Sequence, residues 1–374
     1  MTARTMALAV RGTAPVRPSR DDTGATAVRA HLFDDLFAHK YDESILPSPP
    51  RAGTGHLPGW LRLGLELRAR SSEYDVIVTW SERVSLALMT LDKVLGAKKP
   101  HIAMMYWFSR PSVRLPARVG ASSLHAIVTW SSVQRAYAID RLGIAPEKIY
   151  LVRHFVDQLY FSPRLEAQGG AGTICSAGAE MRDYPTLIEA LRGTGVPCHI
   201  ATDHVRVDRL GFGRRVSADV FSIDVGDGIT IGRKTPGELR DLYARSRFVV
   251  VPLRPSDTDN GVTVILEAMA MGKAVICSRT RGQVDVIEDG VTGIFVPVGD
   301  AGALRRAILS LWEDPARATA MGRAGRAYIE AHHSLEKFCF DVKAAIDASL
   351  DGRSAGLDGT LPTVRPAPAG PAPP

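Results

Sequence analysis

The chain has 374 residues, 45% of them hydrophobic, and a formal net charge of +6. That is enough apolar material for two globular cores, and no apolar run is long enough to span a bilayer. The charge is uneven, +8 over residues 1–164 and −2 over the rest, and no nucleic-acid partner is expected, since no interleaved aromatic residues accompany the arginines at 110, 114 and 118.

Four cysteines, Cys175, Cys198, Cys277 and Cys339, have no paired spacing. They suggest neither a zinc site nor a disulfide framework, and they fit a reducing cytoplasm. The opening run at 6–10 is too short for a signal peptide, so the whole chain is expected to be the mature protein.

In chain order, residues 6–10 predict a first strand. A polar loop at 20–26 follows, then a helix through Phe37. Gly24 in that loop either lets a phosphate or sugar approach the backbone or marks an ordinary turn. Residues 74–80, 101–107 and 124–130 predict strands, with helices at 82–95 and 131–142. Each of these strands ends at a tryptophan, Trp80, Trp107 or Trp130, and two end in the same tetrad, Val-Thr-Trp-Ser. Such residues either stack on an acceptor or complete the core. Arg110, Arg114 and Arg118 recur every four residues. They form either a face toward an anionic membrane or acidic acceptor, or a solvated basic face.

A Gly-rich linker at 168–172 separates the halves. The second half opens with a strand, a glycine turn at Gly178 and a helix ending near Leu191. Residues 225–231 lead into Gly232 and Arg233. Thr235 then caps a helix with Pro236 and Glu238 in its first turn. Residues 248–252 are an apolar strand, 254–261 a polar loop, 262–272 a helix with a glycine stop, and 274–277 another buried strand. Helices are expected at 303–312, 316–332 and 334–350, the last with Phe338, Phe340, Val342 and Ile346 apolar. Beyond Asp351 the Pro-, Ala- and Gly-rich tail is expected to be disordered.

The strand–loop–helix–strand unit at 248–277 carries the chemistry. A loop leaving the carboxyl end of a parallel strand, beside the next helix N-terminus, suits an anion such as a phosphate. Seven residues separate Asp259 in the loop from Glu267 on the helix. A carboxylate among Leu266, Ala268 and Met269 needs a partner, either a diol such as a ribose or a basic side chain.

The run Asp259-Asn260-Gly261 to Leu266-Glu267-Ala268-Met269-Ala270, then Gly272-Lys273-Ala274-Val275, resembles the signature of retaining family 4 (group 1) glycosyltransferases. So does Asp289-Gly290-Val291-Thr292-Gly293, and Asp157, Phe161 and Pro163 resemble the family's close of the first domain. In that family two glutamates flank the seven residues, and Asp259 is one methylene shorter than the first. The resemblance implies an α/β GT-B fold, two Rossmann-like domains with parallel sheets facing a central cleft. Residues 1–163 would be the acceptor-side domain and 173–333 the nucleotide-sugar domain. Residues 334–350 would be a helix crossing back and 351–374 the tail.

It further implies hexose transfer from a nucleotide diphosphate sugar to an acceptor hydroxyl, with retention. Glu267 would bind the ribose, and Asp259, Asn260, Gly261, Val262 and Thr263 the donor sugar. Arg182 would hold the diphosphate beside Gly178, where Ala179 stands in place of a second cation. Arg182 is otherwise a helix-start arginine paired with Glu180 or Asp183. Gly232 and Arg233 would lie near the base, and Gly24, Trp107 and Trp130 on the acceptor side. His101 or His125 would be the family's histidine near the reaction centre, or a structural histidine. Asp257-Thr258-Asp259 matches the Asp-x-Asp metal motif of the other large glycosyltransferase fold. In GT-B the diphosphate is held by cations and a helix N-terminus, so no metal and no cofactor is expected.

The acceptor remains open between a lipid-linked glycan, a polysaccharide end and a small molecule. The chain is expected in the cytoplasm, with peripheral contact at the inner membrane face through its basic half. The alternatives are a non-catalytic sugar-nucleotide-binding subunit and a nucleotide-sugar 2-epimerase.

Overall fold

The computed structural model describes residues 57–80, 82–163, 172–202 and 227–356, with the backbone of short strands at 4–9, 41–45, 205–206 and 215–216. Gly24, the helix expected before Phe37, the linker at 168–171 and the tail beyond residue 356 lie outside these.

Two six-stranded sheets organise the chain. The first comprises β1 (Arg4–Ala9), β2 (Tyr41–Ile45), β3 (Val76–Thr79), β4 (His101–Met104), β5 (Ala126–Thr129) and β6 (Ile149–Leu151). Its order is β2-β1-β3-β4-β5-β6, every pair parallel. The second holds β7 (Thr173–Ala177), β8 (Cys198–Ala201), β11 (Ile229–Ile231), β12 (Ser246–Val251), β13 (Ala274–Ser278) and β14 (Gly293–Val296). Its order is β11-β8-β7-β12-β13-β14, again all parallel. A small antiparallel pair, β9 (Val205–Arg206) and β10 (Arg215–Val216), stands apart.

Burial on both faces explains the parallel sheets. β3, β4, β5, β12 and β13 are apolar runs with almost no exposed residue. In the second lobe Val250 and Ile276 pack under Leu187 and Ile308, while Val249 and Val275 pack under Ile265 and Met269. In the first lobe Ala103 and Ile127 meet Met89, Phe108 and Leu142. The opposite face, Val76, Val78, Ile102 and Met104, is covered by the last helix (Leu335–Leu350) through Phe338, Val342 and Ile346. Phe340 differs from the expectation and is 62% exposed. Two residues from Phe338, it falls on the opposite side of the helix.

The chain therefore crosses between the lobes twice, and the crossings are bonded side by side. Val156 N donates to the His333 carbonyl at 3.0 Å. Arg326 Nη1 donates to the carbonyls of Gln158, Phe161 and Ala270 at 2.9, 2.9 and 2.7 Å. Residues 351–356 correct the expected onset of disorder, because they dock on the first lobe. Ala355 N donates to the Glu147 carbonyl at 3.0 Å, the Tyr150 hydroxyl donates to the Arg353 carbonyl, and Ala355 is buried. These contacts use backbone groups, which composition does not register.

Candidate active site

The loops leaving the carboxyl ends of the two sheets meet, and the predicted donor residues gather on the second-lobe side. Gly178 follows β7 and Gly261 precedes the helix Val262–Ala270; both have left-handed backbones, with φ of +93° and +89°. A Cβ on Gly178 would lie 2.5 Å from Arg182 Nη2, and one on Gly261 would lie 2.9 Å from Val251 Cγ1 and 3.5 Å from Arg182 Nη1. Only glycine satisfies both the backbone and the space at these two positions. The buried Arg182 guanidinium thus lies beside the open start of that helix. The helix has no side-chain cap and no acid in its first turn, so its first amides and its dipole favour an anion.

Arg182 is less free than expected. Its Nε donates to the Ala177 carbonyl and its Nη1 to the Glu180 carbonyl, both at 2.8 Å. It touches the Glu180 backbone, whereas the Glu180 carboxylate pairs with Arg110 across the cleft at 2.7 Å. Arg182 therefore contributes charge and Nη2 rather than a two-pronged clamp.

Glu267 sits one turn and a half into the helix. Its carboxylate accepts the Tyr243 hydroxyl at 2.9 Å, and among the described residues no Lys or Arg forms an ion pair with it. Burial raises its pKa to about 7, against the Tyr243 hydrogen bond and the Arg182 charge. Val262 and Thr263 start the helix, with Val262 N bonded to the Asp259 carbonyl at 3.1 Å. Gly232 and Arg233 follow β11 at the same sheet edge, two strands from β7, with Arg233 exposed.

Asp259 is the point where the lobes touch. Trp130 Nε1 donates to Asp259 Oδ2 at 2.8 Å, and Trp107 Nε1 to Oδ1 at 3.4 Å. Burial raises its pKa to about 6, with the two indole donors opposing. Further bonds close the same seam. Ser132 N donates to Asp285 Oδ2 at 2.9 Å, and Gln134 Nε2 to the Asp257 carbonyl at 2.6 Å. Asp257 itself faces Arg281 at 3.7 Å. The two acids of the Asp-x-Asp triplet therefore have different partners.

The matching Val-Thr-Trp-Ser tetrads have different fates. Trp130 stacks between Tyr106 (centroids 4.1 Å) and His154 (4.8 Å), so its faces are occupied and its N–H is what it offers the site. Trp80 instead packs edge-on against Phe338 at 5.7 Å. Trp107 lies under the Arg110 guanidinium at 3.2 Å. His101 is fully buried, bonded to Thr79 Oγ1 at 2.9 Å, and held neutral with a pKa of about 3 by burial. His125 bonds the Ser349 carbonyl at 2.8 Å. Both are structural histidines.

Sequence reasoning missed Glu82, Tyr106, Tyr243 and Gln283. Glu82 accepts from Tyr106 N at 2.8 Å and Trp107 N at 2.6 Å, and burial lifts its pKa to about 7 against those two bonds. It fixes the strand end that presents Trp107. An acid in the first turn of a helix reads as ordinary capping, so only the β3–β4 pairing exposes this role. Gln283, fully buried, donates to the carbonyls of Asp259 and Asn260 at 3.3 and 3.1 Å. Asn260 Nδ2 is spent inside the loop, on Ser256 Oγ and Thr258 Oγ1 at 2.6 Å each.

Gly282 backs this loop, and a Cβ there would overlap the Thr258 carbonyl. Gly282→Ala is expected to cost about 1–3 kcal/mol of overpacking strain and to shift Asp259. Thermal unfolding should show a lower Tm, and turnover should fall with it; wild-type values for both would show that Gly282 does not set the loop.

With the geometry in place, comparison with known proteins adds the following. A family model described as glycosyl transferases group 1 matches residues 197–314. A lipopolysaccharide core biosynthesis mannosyltransferase of Rhizobium leguminosarum bv. viciae is 26% identical over 269 residues, 66% of this chain and 75% of that protein. The fold is similar to that of sucrose-phosphate synthase from Thermosynechococcus elongatus, with a TM-score of 0.74 and 17% identity over 93% of this chain and 100% of that one. It is also similar to Anabaena HepE, solved in complex with UDP and glucose, with a TM-score of 0.65 and 14% identity over 92% and 100% of the respective chains. The architecture is GT-B.

Proposed function

Because residues 197–314 match the model for group 1 glycosyl transferases and the fold is GT-B, we propose that the chain is a group 1 glycosyltransferase that moves a hexose from a nucleotide diphosphate sugar to an acceptor hydroxyl with retention. The observation that carries this reading is the meeting of Arg182, Gly178 and Gly261 at the open N-terminus of the Glu267 helix. Glu267 accepts the ribose hydroxyls, with Tyr243 orienting it. Gly232 and Arg233 lie toward the base. Asp259 and the backbone of 260–263 contact the donor sugar. Arg182 and the first helical amides stabilise charge on the departing diphosphate.

The Asp259 carboxylate already accepts two indole N–H groups, which makes it a poor nucleophile. This favours attack on the donor's own face. The acceptor oxygen bonds to the anomeric carbon as the carbon–phosphate-oxygen bond breaks, and the acceptor proton passes to the leaving phosphate oxygen. Arg182 and the helix dipole supply the positive charge this needs, so the reaction is metal-independent.

The acceptor class and place of action belong to the same proposal. No helix among the described residues is long and apolar enough to cross a membrane. Leu115 and Val119 are 68% and 53% exposed beside Arg118, which supports peripheral contact at an anionic membrane face.

The test is nucleotide release from UDP, GDP and ADP sugars, with and without a chelator. Release that survives the chelator is expected. Binding without release in broad acceptor pools would favour the non-catalytic reading. Loss of release with the chelator, restored by magnesium, would remove metal independence.

A further inference from the structure

A cavity of about 510 Å³ opens at the seam, on the flank of the 255–260 loop. Four arginines line it, Arg110 and Arg114 from the first lobe and Arg279 and Arg281 from the second, whereas Asp257 is its only lining carboxylate. The sequence run Arg110, Arg114, Arg118 is thereby split, because the first two line this cavity and Arg118 does not, although Arg114 and Arg118 are both exposed.

The arginines are not neutralised equally. Arg110 pairs with Glu180 and Arg279 with Asp289. Arg114 gives its Nε to the Ser109 carbonyl at 2.8 Å and lies 5.7 Å over the Tyr137 ring, and no carboxylate pairs with it among the described residues. Arg281 is 88% exposed at its side chain and only 3.7 Å from Asp257, a loose contact. Arg114 and Arg281 thus bring incompletely balanced positive charge to opposite walls of a space of ligand size, which favours an anion between them. Guanidinium groups match phosphate oxygens in pairs, better than they match neutral sugars. The polar lining, Ser109, Ser256, Thr258 and Thr280, suits sugar hydroxyls.

We propose that this cavity is the subsite for an anionic group on the acceptor, and that the acceptor is a phosphate ester of a sugar or polyol. The inference rests on the transferase reading above and deepens it. Thr258 and Asn260 line the cavity and flank Asp259 in the chain, so an acceptor anchored here places its hydroxyls beside the donor-sugar loop.

The same phosphate chemistry has a second source, the donor's own diphosphate, and the test separates the two. Glucose 6-phosphate, inositol 1-phosphate and glucose are titrated into the full-length protein saturated with nucleoside diphosphate. Nucleoside diphosphate alone is titrated separately. The wild type is compared with Arg114→Ala and Arg281→Ala.

At least one phosphate ester is expected to bind about tenfold or more tightly than glucose, with each variant losing about tenfold of that and keeping nucleotide affinity. Inorganic phosphate should compete with the ester in the wild type, a readout that does not depend on the variants folding. Equal binding of glucose and both esters overturns the proposal. Variants that weaken nucleotide instead of ester assign the cavity to the diphosphate and overturn it too. Arginine-dependent ester binding in a protein that turns over no nucleotide sugar keeps the subsite and removes the transferase reading.

Discussion

Glu267→Ala should weaken nucleotide-sugar binding by about 100- to 10,000-fold, the loss of two hydroxyl-to-carboxylate hydrogen bonds at about 1.5–3 kcal/mol each. The ionised carboxylate accepts both hydroxyls of a ribose diol with full strength, whereas the protonated form turns one oxygen into a donor. Burial holds this carboxyl at about 7 in the free protein, so affinity should fall as the pH drops below 7, and Glu267→Gln should flatten the profile. Stability runs the other way. The pKa is raised above the 4.5 of an ordinary glutamate. Its stabilising share is therefore complete below 4.5 and is lost as pH rises through 7. Buried neutral histidines such as His101 act in the opposite sense, so the readout is relative: the ligand-free Tm at pH 5 minus that at pH 8 should be larger in the wild type than in Glu267→Gln. Calorimetric titration of UDP and GDP between pH 6 and 8 reads the binding arm. A Glu267→Ala dissociation constant within threefold of wild type would remove Glu267 from the ribose site.

Asp259→Ala should lower turnover by about 100- to 1,000-fold. It removes the donor-sugar contact and strands two indole N–H groups at the lobe seam, each costing about 1–3 kcal/mol when left unpaired and buried. The sharper variant is Asp259→Glu, which restores the residue usual in the family. Trp130 and Trp107 reach the aspartate at 2.8 and 3.4 Å, and an added methylene pushes the carboxylate into them. Turnover is expected to fall rather than rise, and Asp259→Glu combined with Trp107→Phe should recover part of it. Nucleotide-release rates give kcat and KM for each. Full activity in Asp259→Glu alone would mean that the indoles do not set the length of this side chain.

The grouping of the proposed donor residues was legible because it is local. One strand, one loop and one helix place Gly261, Val262 and Glu267, and their spacing survives in the sequence. Gly178 and Arg182 come from a second such unit, with their own glycine turn. The acceptor side was opaque because its partners are remote in sequence. Trp130 and Asp259 are 129 residues apart, and nothing in the run at 124–130 marks its indole as a hydrogen-bond donor to the other lobe. Glu82 was hidden by the ordinariness of an acid at a helix start. The cationic cavity was half visible, since Arg110 and Arg114 stood out but Arg279 and Arg281 belong to the other lobe. Parallel strands could be read from apolar runs alone; docking of residues 351–356 could not, because it uses main-chain groups.

The two bonded crossings at Val156 and His333 limit how this molecule can breathe. Strands tied together at one place allow the lobes to swing about that place but not to slide past each other. Displacement then grows with distance from the pivot, as along a lever. The Asp259 contacts belong to loops outside these crossings, so a swing that parts them can leave the 3.0 Å Val156–His333 bond in place. Relative motion of the lobes would then follow one angular coordinate, with the Asp259 carboxylate as the group that reports whether the jaw is shut.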